Sequence, residues 1–380
     1  MKILFVVFHF PPISGGGVIV AVDMANTLAK LGHNVTVITP DIEWDGPKYE
    51  PKIESKVEII RVEVPSKSKI KVAARRCKKN LQAKAEEFGR KEKFDFVLTI
   101  FHPFHLAPSA AVSCAKTLGI PSIVKIDDAV YEKTSGFKSI QRKIENMINT
   151  KTLQNASHIL VMNEHTKQIV VNSYDVLEKN ISIVPNGIDL SIFQDQNSSD
   201  SKTIIFSGAM YHHRGLDVLL EAAPKVIEKI PDVKLILLGD GPEIEKLKKI
   251  VKEKNISENV VFKGWIEREK VPVELSQATV GIGPLKLTTV TENALPIKVL
   301  EYMAAGLPVI AKIGTLPKEV LENEKNGFFV DEPLDLAEKI VTILENEEKR
   351  RKMSEESLIM IEKFSWEKIV TRILDIQKSL

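Results

Sequence analysis

Short apolar runs alternate with longer amphipathic stretches along almost the whole chain. Residues 2–8 are an apolar run, Ser14-Gly15-Gly16-Gly17 a glycine loop, residues 18–31 a stretch with helical spacing closed by Gly32, and residues 35–39 a second apolar run. Period-2 or unbroken apolar runs of this length predict strands, and the 3.6-residue period between them predicts a helix, which together make a βαβ unit. Further runs fall at 57–64, 96–100, 122–126, 158–162 and 181–184. Strands separated by helices predict a parallel, doubly wound sheet. After Pro185-Asn186-Gly187 a polar stretch, 195–202, has no apolar period, and then the alternation restarts. Strands are predicted at 203–207, 233–238, 260–263, 279–283 and 308–311, and helices over 215–230, 243–254, 298–305 and 334–345. The pattern therefore predicts two Rossmann-like α/β domains, residues 1–183 and 184–364, hinged within 184–202. A last helix over 365–380 carries Trp366, Ile369, Val370, Ile373, Leu374 and Ile376 at helical spacing.

Composition supports two cores: 380 residues, 43% of them hydrophobic, exceed what one core usually holds. A net charge of +2 from 53 basic and 51 acidic side chains gives no general affinity for polyanions, so no nucleic-acid partner is expected. The first apolar run stops at His9-Phe10-Pro11-Pro12, too short and wrongly flanked for a signal peptide, and no run approaches the roughly 20 apolar residues that span a bilayer. Cys77 and Cys114 lack metal-like spacing and are expected to be free, reduced thiols. The expected location is cytoplasmic, or peripheral on the cytoplasmic face of a membrane. Residues 66–93 hold eleven Lys and Arg against three Glu, with Ile70, Ala74, Cys77, Leu81, Ala85 and Phe88 on one helical face. Such a segment either rests on an anionic bilayer or is a solvated helix that packs Leu81 and Phe88 inward.

Glycines directly before a helix let a phosphate approach the backbone, where free N–H groups and the helix dipole attract it. Gly15-Gly16-Gly17-Val18 lacks both the G-x-G-x-x-G spacing and a Walker-type Gly-Lys-Ser/Thr, which argues against a dinucleotide or ATP site.

Read in order, several motifs resemble the retaining GT-B glycosyltransferases of family 4: the Gly15-Gly16-Gly17 loop, Pro185-Asn186-Gly187-Ile188-Asp189, Phe206-Ser207-Gly208 leading to Arg214-Gly215, Gly239-Asp240-Gly241-Pro242, Glu301-Tyr302-Met303-Ala304-Ala305-Gly306 and Phe364-Ser365-Trp366-Glu367. The resemblance implies two Rossmann-like domains facing a cleft, an N-terminal acceptor domain and a C-terminal nucleotide-sugar domain, with the last helix crossing back onto the first domain. It also implies transfer of a hexosyl-type group from a nucleotide-diphosphate sugar to a glycan or lipid-linked hydroxyl, with retention. The diphosphate gains negative charge as its bond to C1 breaks, so fixed cations and aimed N–H donors are needed. On this resemblance Gly16, Gly17, Gly208, Arg214 and Lys298 hold the diphosphate, Glu301 accepts from the ribose hydroxyls, Trp265 meets the base, and Asn293 lies where the family's first paired glutamate faces the sugar. Asp127, followed by Asp128, and His102, before Pro103, end apolar runs and are candidates for the acceptor side, Asp127 as a base. No Asp-X-Asp cluster is present, so neither a metal nor a cofactor is expected. Ala209 stands where the family has an arginine and Asn293 where it has a glutamate. These departures leave open a partner subunit that binds nucleotide sugar without turning it over. A sugar-nucleotide epimerase is the other alternative, although no acid/base set for it can be read.

Overall fold

The alternation of apolar runs and amphipathic helices builds two parallel sheets, each with helices packed on it. The structure is a computed structural model; it describes residues 1–127, 137–193 and 201–380, except the side chains of 137–141. The chain divides into two units, Met1–Gly187 with Trp366–Leu380, and Ile188–Ser365. The polar stretch read as part of a hinge lies mostly in 194–200, outside the described residues.

In the first unit the strands are β1 (Lys2–Val6), β2 (Asn34–Pro40), β3 (Val57–Val62), β4 (Phe96–Phe101), β5 (Ser122–Ile126), β6 (His158–Val161) and β7 (Ile181–Ile183). They lie in the order β3-β2-β1-β4-β5-β6-β7, and every pair is parallel. Both faces of a parallel sheet are covered, so its strands read as nearly unbroken apolar runs; β1, for example, buries Ile3, Leu4, Phe5 and Val6 completely. The helices are α1 (Gly16–Lys30), α2 (Ile70–Arg76), α3 (Lys78–Lys91), α4 (Ala107–Leu118), α5 (Phe137–Gln154) and α6 (Glu164–Tyr174). Helix α6 starts where the Asn163 side chain accepts the Thr166 N–H at 2.8 Å, and α4 stops at Gly119, whose φ of +67° suits the left-handed turn there.

In the second unit the strands are β8 (Thr203–Ser207), β9 (Lys234–Leu238), β10 (Val260–Gly264), β11 (Val280–Ile282), β12 (Val309–Lys312) and β13 (Gly327–Val330), in the order β10-β9-β8-β11-β12-β13 and again all parallel. Its helices are α7 (Leu216–Lys229), α8 (Ile244–Glu253), α9 (Val271–Ser276), α10 (Ile297–Ala304), α11 (Pro333–Glu345) and α12 (Glu347–Ile361). The final helix, α13 (Trp366–Lys378), returns to the first unit, as the resemblance implies. It packs on α1: Trp366 is 1% exposed and its Nε1 donates to Asp23 at 3.2 Å.

Both sheets reverse strand order next to their first strand, β1 against β4 and β8 against β11. In an open parallel sheet, ligands bind beyond the carboxyl ends of the strands at this switch point, because the connections there diverge to opposite faces. The loops that matter therefore follow β1 and β4 in one unit, and β8 and β11 in the other.

Candidate functional site

The second unit gathers four of the expected donor residues at its switch point. Strand β8 ends at Ser207, and Gly208 follows at φ +122°. A methyl group there would meet the Nζ of Lys298 at 3.0 Å, so the lysine from the first turn of α10 lies directly against this glycine. The neighbouring loop presses equally close, since a side chain on Gly239 would stand 2.2 Å from the Gly208 carbonyl oxygen. Lys298 is 8% exposed and Glu301, one turn along α10, is 6% exposed. The Lys298 Nζ lies over the Phe206 ring, 3.6 Å from its centroid, and has no hydrogen-bond acceptor among the described residues. Arg214 follows β8 in a short helical turn ended by Gly215 and bears electrostatically on Lys298, as does Glu301. Burial first, and then the positive charge of Arg214, pushes the Lys298 amine well below its ordinary value. The next residue of α10, Tyr302, is wholly buried and accepts the Ser207 N–H on its hydroxyl at 2.7 Å, which fixes α10 against the end of β8. Lys298 thus lies directly against Gly208, with Arg214 and Glu301 within electrostatic reach of it.

Asn293 and Trp265 are placed differently. Asn293 follows β11 with φ +46°, and its N–H donates to Gly314 at 2.9 Å. Asparagine enters the left-handed region more readily than most side chains, so local backbone geometry accounts for the amide. Trp265 comes just after β10 and is 43% exposed.

In the first unit, Gly15 is the residue before α1, at φ +141°, and Gly16 and Gly17 form the first helical turn rather than a loop ahead of it. All three are exposed. The N–H groups of a first turn have no acceptor within the helix, so they face whatever approaches. His102 follows β4 in a histidine cluster that the motif reading did not identify. Its ring lies 5.6 Å from His9 and 5.6 Å from His105, and His105 stacks on Phe8 at 5.1 Å. Burial, then the nearby His9 and His102, push His105 well below its ordinary value. The glycine turn adjoins the cluster, because a methyl group on Gly17 would meet His9 Nδ1 at 3.9 Å. A histidine on each side of the His102 position, after β1 and three residues on, was the signal available in the sequence.

Asp127 sits at the end of β5, and its carboxylate receives Lys125 Nζ at 2.7 Å; Lys125 is wholly buried and also meets Met162 Sδ at 3.3 Å. A lysine in the middle of an apolar strand was the sign of this pair. Asp128 lies outside the described residues.

The basic segment forms two helices, α2 and α3, broken at Cys77, rather than one. Leu81 and Ala85 are buried and Phe88 is half-buried between Lys84 and Lys91, each 5.8 Å from its ring. Lys84, Arg90 and Lys91 pair with Glu86 or Glu87; Lys69, Lys71, Arg76 and Lys79 are exposed. Cys77 and Cys114 are free and buried, with both thiols pushed up to about 12 by burial. Among the described residues, no helix is long and apolar enough to cross a membrane.

Comparison with known proteins places these features in a family. Residues 14–192 match the model of Glycosyltransferase Family 4, and residues 188–358 match that of Glycosyl transferases group 1. An uncharacterized glycosyltransferase of Methanocaldococcus jannaschii is 24% identical, with 100% of this chain and 98% of the relative aligned. The alpha-monoglucosyldiacylglycerol synthase of Acholeplasma laidlawii is also 24% identical, over 89% of this chain and 86% of its own. The crystal structure of Anabaena HepE in complex with UDP and glucose superposes with a TM-score of 0.75 at 16% identity, covering 100% of both chains, a likeness of fold. With the two models covering successive halves of a chain that has this fold throughout, the protein belongs to the group 1/family 4 glycosyltransferases of the GT-B fold.

Proposed function

We propose that the chain moves a hexosyl-type group from a nucleotide-diphosphate sugar to a hydroxyl acceptor, with retention of configuration and without a metal. The observation that carries this reading is Lys298 seated against Gly208 at the switch point of the second unit, with Arg214 and Glu301 bearing on it electrostatically. In this role Glu301 accepts hydrogen bonds from the ribose hydroxyls, each charge-assisted bond worth roughly 1.5–3 kcal/mol. Arg214 and Lys298 oppose the charge that develops on the leaving diphosphate. Gly16 and Gly17 offer N–H donors, Trp265 offers a ring face to the base, and Asn293 faces the sugar. Retention follows by front-face displacement: the bond from C1 to the phosphate oxygen breaks, the acceptor oxygen bonds C1 on the same face, and its proton passes to the departing phosphate. His102 and Asp127 would orient the acceptor from the first unit.

For the acceptor we favour a glycan or a lipid- or polyprenyl-linked saccharide, at the cytoplasmic face of a membrane. The exposed Lys69, Lys71, Arg76 and Lys79 support contact with anionic lipid, each such cation adding about 1 kcal/mol near the surface. The name of the Acholeplasma relative, a glycolipid synthase, points the same way.

The test is a thermal-shift screen against UDP, GDP, ADP and TDP and their sugars, run on wild type and Glu301→Ala, followed by donor-consumption assays with and without EDTA. A selective shift that the variant loses, with turnover insensitive to EDTA, is the expected result. Saturable binding without donor consumption would instead make the chain a nucleotide-sugar-binding partner subunit, and no shift with any nucleotide would sink the donor site.

A further inference from the structure

Lys298 is the cationic side chain of the second unit whose surroundings suit a charge least. It is 8% exposed and its Nζ has no hydrogen-bond acceptor among the described residues, so the face of the Phe206 ring, 3.6 Å away, is left to favour an ammonium without replacing the lost water. Gly208 admits it, since any side chain there would strike the amine. The charged groups that bear on it are Arg214, from the turn after β8, which opposes an ammonium, and Glu301, on its own helix, which favours one. Tyr302, beside Glu301, stays protonated because burial pushes its phenol up. Burial outweighs the rest and pushes the amine well down. An amine can answer such a setting by giving up its proton, whereas a guanidinium cannot.

We infer that Lys298 is a neutral amine in the ligand-free protein and takes up one proton when a nucleotide diphosphate ester binds beside Gly208. The inference rests on the donor-site reading above. The diphosphate supplies the acceptors and the negative charge that Nζ lacks, which favours the ammonium. The proton comes from solvent, and no covalent bond changes. Because the complex then holds one more proton than the free protein, affinity falls as pH rises, by up to about tenfold per pH unit between the free and bound values of the amine. The positive charge thus arrives together with the group whose departure it assists.

Isothermal titration calorimetry tests this with the full chain, using UDP-glucose and GDP-mannose at about pH 8 in buffers of different ionisation enthalpy. These probes are esterified at both ends of the diphosphate and carry no phosphate proton to exchange. Wild type should take up about one proton per ligand bound. Lys298→Arg, always charged, should bind without uptake, and Lys298→Met should bind more weakly, also without uptake. Binding by wild type with no proton exchange, or full uptake retained in either variant, overturns the inference while leaving the donor site intact. If neither probe binds, and ADP-glucose and TDP-glucose in their place do not bind either, the donor-site reading fails and takes the inference with it.

Discussion

The Nζ of Lys125 stands 2.7 Å from a carboxylate oxygen of Asp127, with the lysine wholly buried and the aspartate side chain 15% exposed. The two partners therefore depend on the pair unequally. Asp127→Ala leaves a buried ammonium beside Met162 Sδ and should cost about 3–5 kcal/mol, whereas Lys125→Met leaves a carboxylate that water can reach and should cost much less. The double variant should recover most of the loss. Urea denaturation of the three variants measures this, and equal losses for the two single changes would refute it. An inactive Asp127→Ala is thus no evidence for a catalytic base until its folding has been measured.

His105 makes the first unit sensitive to acid. It is 3% exposed and stacked on Phe8, and its folded value lies well below 6.5. The unfolded chain accordingly binds the proton first. His105 adds its full stability above about pH 6.5, and that contribution is lost as pH falls below this value, by up to about 1.4 kcal/mol per pH unit until the folded group also titrates. His33 and His158 are lowered too and act in the same direction. Melting temperature should fall between about pH 7 and pH 5, and less steeply in His105→Phe. Superimposable profiles for the two proteins would remove His105 from this account.

The amide at position 293 answers first to the backbone. At φ +46°, Asn293→Ala and Asn293→Glu should each cost about 1–2 kcal/mol, while Asn293→Gly should be close to neutral. Thermal melts of the three variants decide the matter. A stable Asn293→Glu protein would show that the amide is there for the donor sugar instead.

Legibility varied with how local the cause of each feature was. Strands β5 and β8 have the bounds that the apolar runs predict, because a fully buried parallel strand writes its burial into consecutive positions. Strand β13 went unread: Gly327-Phe328-Phe329-Val330 is four residues long, too short to show a period. Helix α12 also went unread, since its surface is highly charged and it buries only scattered positions such as Met353 and Ile361. The segment 66–93 reads as one helix, but it breaks at Cys77, which is buried between α2 and α3. In the site, Gly208, Arg214, Lys298 and Glu301 could be named from motifs. The pairing of Lys125 with Asp127 and the clustering of His9 with His105 could not, although each residue was in plain view.

Chain order and side-chain pattern were enough for the two α/β domains, the parallel sheets and the family, because repeated apolar runs and ordered motifs are local properties of sequence. The three-dimensional fold alone settled which strand neighbours which. That choice sets β1 against β4 and β8 against β11, and so decides which loops share a switch point. It also set the surroundings of Lys298. A lysine 90 residues beyond Gly208 in the chain loses its water only when α10 docks against the end of β8, and burial of that kind belongs to the packing of distant segments rather than to any motif.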